Sequence, residues 1–214
     1  MTVNLNALTT VRMTQEIRSL LDHHNNEHPN EPFIINVLVD AQNDFACNNG
    51  RLPAYRCEPV ADECCKFVKM PCDLLIRTFD SHTDSYPQTV EGRNLPISHC
   101  LINTYGWQIV ERIDDACHTI DTPVFDVTKN TFGSIELADF IRCLYTMAIF
   151  AGMKVEIHFA GYVTNICVIS NVCLVKAVAP DARIIVYSTC CAGVTEKAHQ
   201  RALAQMKDWH IEVI

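Results

Sequence analysis

From residue 33 onward, short runs rich in apolar residues alternate with longer stretches in which apolar positions recur every three or four residues. The runs predict β-strands at Phe33–Val39, Leu74–Thr78, Pro123–Asp126, Lys154–Ala160, Arg183–Ser188 and His210–Ile214. The periodic stretches predict helices at Tyr55–Met70, Ile135–Phe150, Asn165–Ala177 and Thr195–Asp208. Strands that are apolar without alternation belong to a sheet covered on both faces. Strand–helix alternation then predicts an α/β fold of three layers, αβα, around a doubly wound, mainly parallel sheet with right-handed crossovers. Between Phe79 and Tyr105 periodicity fades, and a long irregular connection is expected. Residues 1–32 stand apart: Leu5–Leu21 has an amphipathic helical pattern, and Asp22–Pro32 is polar and punctuated by Pro29 and Pro32. The organisation expected is an N-terminal extension, 1–32, packed on the body or on a neighbouring subunit, followed by one domain, 33–214.

Composition narrows the partners. A chain of 214 residues suffices for one well-cored domain. Its net charge of −8 disfavours nucleic acid and anionic membrane surfaces, both of which attract basic patches. No apolar stretch approaches the roughly 18–20 residues of a membrane helix, and the N-terminus lacks a signal peptide's basic start and compact apolar block. A cytoplasmic protein is expected. The twelve cysteines form no C-x-x-C pair, so neither a zinc ribbon nor a thioredoxin-type motif is present. Reduced thiols in a reducing compartment fit best, most of them small core residues.

Cys167 stands out from the other eleven. It follows the strand Lys154–Ala160 within Gly161-Tyr162-Val163-Thr164-Asn165-Ile166-Cys167-Val168, in the first turn of the helix predicted from Asn165. Unpaired N–H groups and the helix dipole at such a position favour a thiolate. Asp40, in Asp40-Ala41-Gln42-Asn43-Asp44-Phe45, closes the first strand, and Lys129 follows the third. Each alone reads as an ordinary loop residue. Together a carboxylate, an ammonium and a thiol at strand ends make a thiol-based site in which the carboxylate takes the thiol proton. Ligands of parallel sheets sit at those strand ends, where Asp40, Asp80 and Gly161 converge. Asp80-Ser81-His82, with His99 seventeen residues beyond and Glu91 between, has the residue types to hold one metal ion. Three unrelated polar loop residues are the competing reading.

Taken in order, Asp40–Phe45, Asp80-Ser81-His82, Glu91-Gly92-Arg93-Asn94-Leu95-Pro96-Ile97-Ser98-His99-Cys100, Lys129 with Phe132-Gly133-Ser134, and Gly161–Val168 resemble the isochorismatase-like cysteine hydrolases. Within them the likeness is to nicotinamidase-related amidases, from about Phe33 to the C-terminus. The resemblance implies hydrolysis of a small-molecule amide, nicotinamide first, through a thioester on Cys167. Asp40 would be the proton acceptor and Lys129 the cation that holds the site together. The backbone N–H groups of Val163 and Cys167 would form the oxyanion hole beside a cis peptide at Tyr162–Val163. Asp80, His82 and His99, with Glu91 as an acidic fourth ligand, would bind a divalent ion, zinc before iron or manganese. Phe45 would flank the substrate, and a homo-oligomer would be in keeping with the N-terminal extension. One departure concerns the tryptophan that nicotinamidases place before their Pro-x-His-Cys segment. Here Leu95 precedes Pro96, Ser98 is extra, and the nearest indole is Trp107. This points toward another small amide, or carbamoyl compound, as the alternative substrate; a catalytically silent ligand-binding protein is the reading from outside enzymology.

Overall fold

The computed structural model describes residues 2–214. Its centre is a sheet of β1 (Thr2–Asn4), β2 (Phe33–Val39), β3 (Leu74–Asp80), β4 (Val124–Lys129), β5 (Val155–Tyr162), β6 (Arg183–Ala192) and β7 (Glu212–Val213). The strands are all parallel, in the order β1-β4-β3-β2-β5-β6-β7. The helices are α1 (Thr10–Glu27), α2 (Asn43–Ala46), α3 (Cys57–Phe67), α4 (Val90–Asn94), α5 (Glu111–His118), α6 (Ile135–Phe150), α7 (Ile169–Val178) and α8 (Glu196–Asp208).

Side-chain alternation sorts the layers. Along β2, Phe33, Ile35, Val37 and Val39 join a core with Ile17 and Leu21 of α1, Phe140 of α6, Val172 of α7 and Leu203 of α8. Leu38 points the other way, into a core shared with Val60 and Phe67 of α3 and Ile113 of α5. Both faces of β2 are thus buried, which is why its sequence reads as a continuous apolar run. From β2 the chain winds outward through β3 to β4, then returns to the other side of β2 as β5 and winds out again. The order reverses between β2 and β5, and a crevice opens at the strands' carboxyl ends there.

The structure differs from the sequence-based elements at several points. The N-terminal segment is part of the sheet: β1 pairs with β4, Thr2 opposite Val124. A three-residue strand carries too little periodicity to be recognised. Strands β3 and β4 run on to Asp80 and Lys129, so these residues end strands in register with each other rather than following them. Finally, the helix after β5 opens with one wide π turn, Thr164–Val168, before regular α7. The irregular connection from Phe79 contains only short helical turns and α4 before α5 resumes order. None of the described helices is long and apolar enough to cross a membrane.

Gly161 shows what the crevice demands of the backbone. Its φ is +123°, and a Cβ there would overlap the Val39 backbone on the neighbouring strand. Only glycine lets β5 pass that close to β2 while turning into the segment that carries Cys167.

Candidate active site

Asp40 is fully buried just past β2, with φ +46°. Its N–H donates to the Thr78 carbonyl (3.1 Å), and the Thr78 hydroxyl donates to Asp40 Oδ1 (2.6 Å). Asp40 Oδ2 lies 2.6 Å from Lys129 Nζ, an ion contact outside good hydrogen-bond alignment, and makes no other hydrogen bond. Lys129 Nζ also donates to Cys167 Sγ (3.6 Å) and sits 3.7 Å from Asp80 Oδ1. Asp40, Lys129 and Cys167, predicted from three separate segments, therefore meet in one buried cluster.

Charge divides the labour among them. Burial pushes the Asp40 carboxyl up, Lys129 pulls it down, and Asp80 adds to the rise, leaving it raised. For Asp80, burial is outweighed by Lys129 and by hydrogen bonds from His82 and His99, so its carboxyl is lowered. Lys129 loses charge stability by burial but gains more from Asp40, Cys167 and Asp80, and stays an ammonium. Two carboxylates on one lysine are thereby split: Asp80 remains ionised, and Asp40 takes a proton more readily.

The expectation of a resting thiolate at Cys167 is corrected. Burial pushes this thiol well up; Lys129 opposes that, while Asp40 and Asp80 reinforce it. One ammonium does not offset desolvation plus two carboxylates. The thiol stays protonated beside Lys129, and its proton must leave as the sulfur attacks.

Around Cys167 the backbone departs from regular geometry. The Tyr162–Val163 peptide is cis, as the resemblance implied. Among the described residues nothing accepts a hydrogen bond from the Val163 N–H. The Val163 carbonyl takes bonds from Ile166 (3.0 Å) and Val168 (3.2 Å), which fixes the π turn holding Cys167. Asn171, four residues on, donates to the Cys167 carbonyl (2.8 Å) and accepts from the Ser134 N–H (2.9 Å). It ties the Cys167 turn to the loop after Lys129, a link that no sequence pattern announces.

Asp80, His82 and His99 form a second, adjoining cluster. All three are buried and offer ligand atoms within 4.8 Å of one another. The His82 and His99 Nε2 atoms lie 3.0 and 3.2 Å from Asp80 Oδ2. Tetrahedral bonds of about 2.0–2.1 Å require ligand atoms roughly 3.3 Å apart, so this set fits a divalent ion such as zinc. His99 Nδ1 faces the Ile97 carbonyl at 2.8 Å; a proton held there would leave Nε2 free to ligate an ion in place of its hydrogen bond to Asp80. Glu91 Oε1 is 3.7 Å from His99 Nε2 and 3.9 Å from His82 Nε2, near the three-residue group but outside it. Tyr86 was not anticipated. Its fully buried ring meets both imidazoles edge-on, at 4.6 and 5.0 Å, and its hydroxyl donates to the Leu95 carbonyl at 2.9 Å.

Between the clusters lies a cavity of about 410 Å³, reached by Asp80, Glu91, His99 and Cys167 and walled by apolar side chains such as Leu52, Leu95, Phe132 and Ile166. Phe45 lines it, edge-on to His99 at 5.5 Å. Trp107 does not. Its indole N–H donates to Ser81 Oγ (2.8 Å) and its ring leans on Phe79, so Trp107 does not supply the missing stacking platform.

The family model described as "Isochorismatase domain" matches residues 35–214. No curated protein matches the sequence significantly. Among solved structures, a nicotinamidase/pyrazinamidase from Bacillus subtilis is 22% identical with a TM-score of 0.66, over 84% of this chain and 98% of that one. A pyrazinamidase/nicotinamidase from Streptococcus mutans is 18% identical with a TM-score of 0.70, over 85% and 99%. Pyrazinamidase of Pyrococcus horikoshii in complex with zinc is 19% identical with a TM-score of 0.65, over 86% and 99%. At these identities the likeness is one of fold.

Proposed function

The chain belongs to the Isochorismatase domain family, and on that premise we propose that it is a metal-containing cysteine amidohydrolase acting on a small carboxamide, with nicotinamide, hydrolysed to nicotinate and ammonia, the first candidate. The observation that carries this reading is that Cys167, joined through Lys129 to Asp40, lines the same cavity as Asp80 and His99 of the neighbouring cluster.

The substrate's carbonyl carbon comes to Cys167 Sγ, with its oxygen toward the N–H groups of Val163 and Cys167. The thiol proton passes to Asp40 as the S–C bond forms, so no free thiolate is needed in this dry site. Lys129 stays charged throughout and holds Asp40 against the developing charge. Protonated Asp40 then gives its proton to the departing nitrogen, ammonia leaves, and a thioester remains on Cys167. A water entering the vacated space loses a proton to Asp40 and attacks the thioester. The carboxylic acid is released and the thiol restored. A divalent ion held by Asp80, His82 and His99, with Glu91 beside them, would supply a Lewis-acidic point that fixes a ring nitrogen or a water of the bound substrate. The apolar wall, Phe45 included, takes the body of the substrate.

Leu95 and the displaced Trp107 favour a second substrate class, small amides or carbamoyl compounds with a less aromatic body. Losing a stacking partner weakens ring binding by about 1 kcal/mol, which shifts preference without changing the chemistry.

Ammonia release by the zinc-loaded protein, measured on nicotinamide and on a panel of aliphatic amides, tests both. Release from nicotinamide that disappears in Cys167→Ala, with the fold retained, is the expected result. Release confined to aliphatic amides would move the assignment to the second class. Activity of Cys167→Ala above a few per cent of wild type would remove Cys167 as nucleophile.

A further inference from the structure

The segment that carries Asp40 continues for four residues whose chemistry the reaction above does not use. Gln42 is extended and fully buried, and its side-chain amide makes three short bonds. Oε1 accepts from the Asp80 N–H (2.8 Å), while Nε2 donates to the Asp80 carbonyl (2.8 Å) and to the Trp107 carbonyl (2.8 Å). The β2–β3 ladder ends at Val39 opposite Thr78, so the Asp80 backbone has no strand partner on that side. The Gln42 amide takes the place of one, offering an acceptor and a donor as a peptide would. On its other side Asp80 pairs with Lys129 of β4. The backbone of the first metal-ligating residue is thus gripped from both edges.

Asp44 does the corresponding work for the other ligands. It is buried, and its Oδ2 accepts from the Cys100 N–H (2.7 Å) while Oδ1 accepts from the Arg51 N–H (3.0 Å). Cys100 directly follows His99 and has φ +44°, a left-handed turn that aims His99 inward. The Cys100 carbonyl in turn accepts from the His82 N–H (3.0 Å), and the His82 carbonyl from the Ile102 N–H (2.9 Å). One carboxylate therefore fixes the His99 turn, and that turn fixes the backbone of His82. The space is closed around it, since a Cβ on Gly106 would overlap the Asp44 carboxylate.

We propose that Gln42 and Asp44 are positioning residues for the metal centre, so that Asp40-x-Gln42-x-Asp44 sets both the proton acceptor and the ligand geometry. Resting on the metal reading above, this inference adds that ligand spacing is imposed by two side chains that never touch the ion. Outer groups that orient ligands are worth about 10–100-fold in metal affinity.

The test measures zinc affinity of the full-length protein by chelator competition and the visible spectrum of its cobalt(II) form. Gln42→Met and Asp44→Ala are expected to bind zinc about 10–100-fold more weakly and to shift the cobalt bands. Gln42→Glu keeps the acceptor for the Asp80 N–H, and Asp44→Asn keeps one carbonyl oxygen; each should recover part of the loss. Asn43→Ala is the control: Asn43 is buried in the same loop, but its amide donates to the Tyr105 carbonyl (2.8 Å), away from the ligand-bearing residues. Its affinity and spectrum should match wild type. Where the Met or Ala variant fails to fold, the Glu and Asn variants decide alone. Affinities within about twofold of wild type, with unchanged cobalt bands, would overturn the proposal. A wild-type protein that takes up neither zinc nor cobalt would overturn the metal reading itself, a separate result visible before any variant is compared.

Discussion

Two carboxylates around one ammonium decide what each residue of the site can do. Lys129 draws both carboxyls down, and hydrogen bonds from His82 and His99 add to its effect on Asp80, which stays ionised. Asp40 is left as the group whose protonation is easy, beside a thiol that burial holds neutral. Asp40→Asn keeps the shape and removes that proton acceptor. Ammonia release by this variant should fall by about 10²–10⁴-fold in kcat, and a loss of less than tenfold in steady-state assays would contradict the role. Asp40, Lys129 and Cys167 were legible in the sequence because each stands beside a strand run within a recognisable segment. Thr78 and Asn171 were not, since a threonine inside a strand and an asparagine inside a helix carry no signal of the bonds they make. The protonation state of Cys167 was misread for a related reason. A helix start is visible locally, whereas the groups that exclude water from it come from distant parts of the chain.

Among the elements, the N-terminal pair β1 and α1 does more than decorate the domain. α1 starts on Thr9, whose side chain accepts from the Arg12 N–H, and buries Ile17 and Leu21 in the main core. Its far end is fastened by His24, whose Nδ1 meets Asp73 Oδ1 at 2.7 Å while Asp73 Oδ2 accepts from the Ile34 N–H at 2.7 Å. Leu5, Ile17 and Leu21 together represent about 5–8 kcal/mol of apolar burial, comparable to the whole stability of an ordinary domain. Removing residues 2–27 should therefore abolish cooperative urea unfolding. A truncated protein with an unchanged midpoint would show that the segment only leans on the domain. The amphipathic pattern of Leu5–Leu21 foretold the helix but not its length or its partner. β1 was invisible because three residues show no periodicity, and α5 because it lies in a connection too polar for a clear stripe.

Across the whole molecule, the long apolar runs β2, β3 and β5 made the sheet readable, since strands buried on both faces declare themselves by composition alone. What such runs cannot state is the price of polar groups enclosed with them. His158 is buried in β5 with an unsatisfied Nε2, and His199 is buried in α8; burial lowers the pKa of each, against the pull of Glu156 and of Glu196. Because the folded values lie below the unfolded 6.5, the unfolded chain takes up these protons first as pH falls. Their contribution to stability is complete above about pH 6.5 and is lost as pH drops through the folded values. The urea midpoint should fall between about pH 7 and pH 5.5, and fall less in His158→Gln. Equal slopes in the two proteins would remove His158 as a source.

Sequence separation within the site has a consequence in time. Asp80 and His99 are nineteen residues apart, whereas Asp40 and Cys167 are separated by more than a hundred. Closing a short loop costs less entropy than closing a long one, and contacts between distant segments form late. A chain emerging from synthesis has Asp80, His82 and His99 in hand once β3 and the following connection exist, but no Cys167 near Asp40 until β5 has docked against β2. On the proposed reading, capture of the ion and onset of turnover are separate events in the protein's own assembly, the first local and early, the second waiting on the crossover from β4 to β5.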